Sequence, residues 1–219
     1  MSNRATNINP ALTLAIDAKL KHMISQGIKV YGFGAGEPDF NTPEYISNAA
    51  IEAIKNGFTR YTPAQGTLEL RKAICDKLKR ENDVVYNPNE IIVSSGAKHS
   101  LSNAFAAILN PGDEVILPIP YWVSYSEIIK LNGGIPIFIK TKSKNNFKVT
   151  VEDLESVFTN KTKAILLNTP NNPTGMVYEK EELEKLAEWA LTHGVYIISD
   201  EIYERITYDG KKHVSIASL

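Results

Sequence analysis

Residues 183–204 read LEKLAEWALTHGVYIISDEIYE, and this stretch holds a complete helix-to-strand unit. Leu183, Leu186, Ala187, Ala190 and Leu191 recur at helical spacing, and Gly194 closes the stripe with a residue free to turn left-handed. An apolar run at 195–198 follows without alternation, the mark of a strand covered on both faces. The run breaks on Ser199, Asp200 and Glu201, so a carboxylate stands where the strand ends.

The same alternation extends upstream. Pro43 after Thr42 opens a helix whose Ile46, Ala49, Ala50, Ala53 and Ile54 share a face until Gly57, and Leu101, Ala104, Phe105, Ile108 and Leu109 form another stripe. Apolar runs at 91–93, 115–117, 135–139 and 164–167 lie between the stripes. Helices alternating with doubly covered strands predict an α/β fold with a mostly parallel sheet between helical layers. In such sheets ligands sit beyond the carboxyl ends of the strands, so the residues just after each run are the first candidates for chemistry. The first forty residues differ: an irregular arm, a helix around 12–24 and the stretch GFGAGEPDF at 32–40, expected to belong to another domain than 41–219.

Composition narrows the partners. Lys plus Arg number 24 against 25 Asp plus Glu, so no charge excess points to nucleic acid or an anionic membrane, and a small-molecule ligand fits better. The chain is 43% apolar, ample for a core, with no run of membrane-spanning length. Cys75 is the only cysteine and reads as a small buried residue; with no leader-like N-terminus, a cytoplasmic setting is expected.

Four strand ends carry candidate chemistry. After 91–93 come Ser94, Ser95, Gly96, Ala97 and Lys98, a tight turn opening a helix, where free N–H groups and the helix dipole favour an anion. Lys98 in the first helical turn opposes the dipole, which is better explained if it meets a negative ligand. After 195–198, Asp200 needs a partner: the following turn, a buried cation, or a cationic ring nitrogen. After 164–167 the chain runs NTPNNPTG (168–175), a shaped loop, and after 115–117 Tyr121 and Trp122 offer an aromatic face to a flat ligand.

Taken together these stretches resemble the fold-type I pyridoxal-phosphate aminotransferases, most closely the bacterial aspartate aminotransferases. The matching segments are AGEPDF (35–40), RYTPAQG (60–66), SSGAK (94–98), PGDEVILPIPYWVSY (111–125), NTPNNPTG and SDEIYE (199–204), in the family's order along nearly the whole chain. The resemblance implies the three-layer αβα large domain, here without its last strands. Residues 1–40 would be the N-terminal arm and a small-domain segment, and 41–219 the N-terminal portion of the large domain. It makes Gly96, Ala97 and Lys98 the holders of the cofactor phosphate and Trp122 the stacking partner of the pyridine ring. Asp200 would pair with the ring nitrogen, and Asn172 and Tyr203 with the phenolic oxygen. Tyr61 would reach the phosphate of a neighbouring subunit's cofactor, implying a homodimer with shared sites. Gly36, Trp122, Asn172, Lys98 and Thr13 would contact substrate, with Lys98 on the distal carboxylate. Ala11 stands where those enzymes often have serine.

The implied reaction moves an amino group between an amino acid, aspartate or glutamate, and a 2-oxo acid. The Schiff-base lysine, expected about thirty residues after SDEIYE, would lie beyond Leu219, so this chain by itself is expected to be inactive. Lys211 and Lys212 do not replace it, because Asp209 and Gly210 before them read as an exposed turn. Competing readings are a transaminase of aromatic, alanine-like, prephenate or arogenate substrates, and a non-catalytic dimerising fragment. Ser95 and Lys98 fit a Ser-x-x-Lys acyl-transfer pattern without its companion motifs, and Gly34-x-Gly36 meets Asp39 where a dinucleotide loop needs its third glycine. His22, His99, His193 and His213 lack metal-ligand spacing, so no metal is expected.

Overall fold

Alternate residues of two strands face two different cores, and this arranges everything else. In the computed structural model, which describes residues 1–9, 12–34, 36 and 40–219 without the side chains of Arg4, Leu12, Thr13 and Leu14, the sheet is built from β1 (Glu114–Ile119), β2 (Ile135–Lys140), β3 (Thr162–Asn168) and β4 (Tyr196–Asp200). All its pairings are parallel, in the order β2-β1-β3-β4. Val115, Leu117, Ala164 and Leu166 point into one core with Leu101 and Phe105 of α5 (Ala97–Ile108) and Ile128 and Ile129 of α6 (Ser124–Leu131). Ile116, Ile165 and Leu167 point into the other, with Leu154 of α7 (Val151–Glu155) and Leu183, Leu186 and Trp189 of α8 (Lys180–His193). The result is the three-layer αβα arrangement expected from the sequence.

Two expectations are corrected. The run at 91–93 forms no strand: Ile91 is extended, but a strand is defined by a ladder, and no described segment pairs with the run. Full burial also holds only for β1 and β3, whose central residues are nearly inaccessible; β2 and β4 are edges, with Ile135, Phe138 and Tyr196 exposed. Short helices unread in the sequence complete the layers. Among them α7 is opened by Thr150, whose hydroxyl accepts from the Asp153 N–H while the Asp153 carboxylate accepts from the Thr150 N–H. Gly194 ends α8 with φ of +66°, as its position after the last apolar stripe residue requires.

The chain divides into two units, Met1–Asn9 with Leu68–Leu219, and Pro10–Thr67. The first contains the sheet, α1 (Asn3–Thr6) and α4 (Leu68–Asn82); Asn9 donates from its backbone and side chain to Glu127, at 3.0 and 3.3 Å. The second contains α2 (Leu12–Ser25) and α3 (Glu44–Lys55).

Candidate active site

The strand order reverses direction between β1 and β3: the chain leaves β1 to build β2 on one side and returns to build β3 on the other. Loops leaving the two strands diverge there and open a crevice at their carboxyl ends. Trp122 follows β1, and the turn into α6 brings Tyr125 against it, the rings edge to face with centroids 5.4 Å apart. Lys98, in the first turn of α5, holds its ammonium 4.9 Å from the centre of the Trp122 ring. Two of the four candidate signals read from the sequence therefore meet at Trp122.

The other two meet at Asp200. This last residue of β4 is 8% exposed, yet among the described residues no cation pairs with it. One carboxylate oxygen accepts from the Tyr125 hydroxyl at 2.7 Å, and the other from the Ile202 N–H at 3.1 Å, capping the next turn. Burial, reinforced by the charge and hydrogen bond of Asp200, pushes the Tyr125 phenol well above its ordinary value, so Tyr125 remains a donor. Asn168, last in β3 and in register with Asp200, donates from its side chain to the Asp200 carbonyl at 2.9 Å and accepts from the Asn172 N–H at 2.7 Å. The Asn172 side chain donates to the Tyr203 hydroxyl at 3.4 Å. Trp122, Tyr125, Asp200, Asn168, Asn172 and Tyr203 thus form one chain of contacts across three strand ends.

The turn before α5 is shaped for an anion. Gly96 caps the helix with φ of +84° and ψ of 164°, a conformation closed to other residues, and a Cβ there would meet nothing within 4 Å. The N–H groups of Ala97 and Lys98 make no hydrogen bond to another described residue. The Ser95 N–H donates to Nδ1 of His99 at 3.1 Å, tying the turn to the helix it opens.

Residues of the second unit stand differently. Gly36 and Tyr61 are exposed, Tyr61 completely. Thr13 lies in α2, its side chain outside the described set, and Ala11, Ala35, Glu37, Pro38 and Asp39 lie outside the described residues. The nearby glycines serve packing: a Cβ on Gly32 would come within 2.4 Å of Leu20, and one on Gly34 within 2.5 Å of Ile16, so helix and chain approach only because both are glycine.

Sequence reading overlooked Tyr125 and Asn168. Both carried a signal: Tyr125 follows Trp122 by three residues at a helix start, which puts the rings together, and Asn168 is a polar residue closing a buried run, as Asp200 is. Lys211, weighed as a substitute base, is exposed and paired with Glu179.

Comparison with known proteins places this geometry. Residues 28–219 match the family model "Aminotransferase class I and II". The aspartate aminotransferase of Bacillus sp. (strain YM-2) is 54% identical over all of this chain, and the probable aspartate/prephenate aminotransferase of Aquifex aeolicus (strain VF5) is 50% identical; the chain covers 56% of each. Among solved structures, the Thermus thermophilus aspartate aminotransferase with maleate superposes on the whole chain with a TM-score of 0.97 at 44% identity, the chain covering 57% of it. The aromatic aminotransferase of Pyrococcus horikoshii OT3 superposes on 93% of the chain with a TM-score of 0.85 at 40% identity, and 54% of it is covered. The chain therefore spans little more than half the length of these relatives. With the αβα layers, the strand-end polar chain and a family match over 28–219, this chain belongs to the class I and II aminotransferases, a family dependent on pyridoxal phosphate.

Proposed function

We propose that this chain is the cofactor-cradling amino-terminal part of an aminotransferase that exchanges an amino group between L-aspartate or L-glutamate and a 2-oxo acid. The observation that carries the reading is Asp200: a buried carboxylate met only by neutral donors, at a strand end beside an aromatic face, in a unit whose α5 turn has free N–H groups. Such a site fits a flat ligand with a cationic ring nitrogen and a phosphate.

Pyridoxal phosphate, when bound, supplies an electron sink for charge developing on the amino acid's α-carbon. Asp200 would hold the proton on the ring nitrogen, with Tyr125 fixing the orientation of its carboxylate. Trp122 would cover one ring face, and Asn172 and Tyr203 would donate to the phenolic oxygen. Gly96, Ala97 and Lys98 would receive the phosphate through backbone N–H groups at a helix start. Lys98, Gly36, Trp122, Asn172 and Thr13 would contact substrate, the Lys98 ammonium meeting a distal carboxylate.

Tyr61 would serve a neighbouring subunit's cofactor in a homodimer, which accords with its full exposure. Residues 1–40 would be the arm and small-domain segment, and 41–219 the N-terminal portion of the large domain. We place the protein in the cytoplasm, in keeping with its single cysteine. Relatives named for aspartate and prephenate support the aspartate reading, while the Pyrococcus aromatic aminotransferase supports an aromatic donor as the second.

The 219 residues made as a separate polypeptide should bind pyridoxal phosphate saturably, without imine-type visible absorption and without transamination, because the family's lysine is assigned to sequence beyond Leu219. Asp200→Asn should weaken that binding about a hundredfold. Imine absorption or turnover by the 219 residues would overturn the assignment of the lysine, and indifference to Asp200→Asn would overturn the site.

A further inference from the structure

The segment 200–204 reads Asp-Glu-Ile-Tyr-Glu, and its two faces have different occupations. Asp200 and Tyr203, three apart, carry the bonds to Tyr125 and Asn172. Glu201 and Glu204, also three apart, reach other groups. One Glu201 oxygen accepts from the hydroxyls of Ser199 at 2.8 Å and Ser215 at 3.1 Å, and the other meets Nε2 of His213 at 2.9 Å. The His213 side chain is 5% exposed, and among the described residues its Nδ1 has no hydrogen-bond partner and Glu201 is the one polar group bonded to the ring.

Glu204 closes a ring of three. One of its oxygens accepts from the Asn82 side chain at 2.8 Å, the other from the Lys77 ammonium, and Lys77 also donates to the Asn82 oxygen at 2.7 Å. Asn82 is buried at the end of α4, so Glu204 ties the segment to that helix while Glu201 ties it to the segment at 213–215. Burial would raise both carboxyls, but the donors around them hold both below their ordinary value, so they stay charged. The segment needs such anchors. Beyond Asp200, which ends β4 and whose carbonyl accepts from the Thr169 N–H at 3.2 Å, it is neither helix nor strand, and its backbone bonds are single turns, Glu204 N–H to the Glu201 carbonyl at 3.0 Å and Ile206 N–H to the Tyr203 carbonyl at 2.8 Å.

We propose that Glu201 and Glu204 are positioning residues, a two-point clamp that sets where Asp200 and Tyr203 stand and thereby how fully a ring nitrogen held by Asp200 is protonated. The part concerning the ring nitrogen rests on the cofactor reading above; the clamp itself does not. An exposed ion pair would contribute little to either, but here each carboxylate has several partners on another element, which fixes direction as well as distance.

The test uses the 219-residue chain with Glu201→Gln, Glu204→Gln, the double variant and, as a control, Glu182→Gln. The control breaks the ion pair of Glu182 with the buried Lys148, away from the segment. In cofactor-free protein labelled at tyrosine, the ring-carbon resonances next to the hydroxyls of Tyr125 and Tyr203 should move in the clamp variants and stay in place in the control, with urea unfolding recorded for all. With ring-labelled ¹⁵N pyridoxal phosphate, the nitrogen resonance should shift toward its unprotonated position in the double variant and affinity should fall about tenfold. Lys77→Met gives the same readings with a milder change, should Glu204→Gln fail to fold. Unmoved tyrosine resonances in folded variants, or equal movement in the control, would overturn the clamp. Absence of cofactor binding by the unaltered chain would overturn the cofactor reading alone, leaving the tyrosine resonances to decide the clamp.

Discussion

The candidate residues of the two units are held in opposite ways. In the sheet-containing unit, Trp122, Asn172, Asp200 and Tyr203 are bonded to one another or to Tyr125 and Asn168, and the backbone beneath them belongs to strands packed between two cores. In the unit Pro10–Thr67, Gly36 and Tyr61 stand exposed, and α3 has no buried residue although its apolar residues recur on one face. In the first, strands packed between two cores fix the backbone that carries these residues. If Tyr61 meets a neighbouring subunit, as proposed above, it needs no such fixing until that partner arrives.

The sharpest way to break this contrast is to damage each region in turn. Phe105→Ala removes a ring with no exposure from the core under β1 and β3 and should cost about 3–5 kcal/mol of unfolding free energy. Tyr61→Ala should change it by less than about 0.5 kcal/mol. Urea unfolding followed by tryptophan fluorescence would decide; a large loss from Tyr61→Ala would mean that its ring is already engaged within the chain. Next in size, Tyr125→Phe leaves the buried Asp200 carboxylate with one donor fewer and should weaken pyridoxal phosphate binding about tenfold, or about 1.4 kcal/mol. A change of less than about twofold would remove Tyr125 from the site.

The smallest effect is acid sensitivity. Glu201 and Glu204 lie below the ordinary 4.5 when folded. Their contribution to stability is therefore fully present above that unfolded value and is lost as pH falls through the folded values. Between about pH 5 and pH 3 the urea midpoint should drop, and it should drop less in Glu204→Gln. Parallel slopes for the two proteins would show that Glu204 is not stabilised by folding.

Much of this was legible. The strands β1 and β3 announced themselves because burial on both faces leaves no polar residue in the run, and Asp200 stood out because a carboxylate closing such a run needs an explanation. The segment at 91–93 misled for the same reason: apolar composition reports burial, whereas a ladder depends on a neighbour that local sequence does not name. Tyr125 was hidden because its importance lies in a bond to a residue 75 positions away. Glu201 and Glu204 were assigned no role, because only the fold brings Lys77, Asn82 and His213 to them.

The reversal of strand order between β1 and β3 also bears on how the molecule assembles. One half of the sheet, β1 with β2, is completed within residues 114–140, and the other, β3 with β4, within 162–200, so each half is local in sequence. The ladder joining the halves is short, pairing Glu114, Val115 and Ile116 with Thr162, Ala164 and Ile165 across a register shift. Local halves close early and distant ones late, because loop entropy must be overcome first. The polar chain from Trp122 to Tyr203 straddles that seam. A ligand that grips both sides of the seam would therefore act as a rivet between the two halves of the sheet.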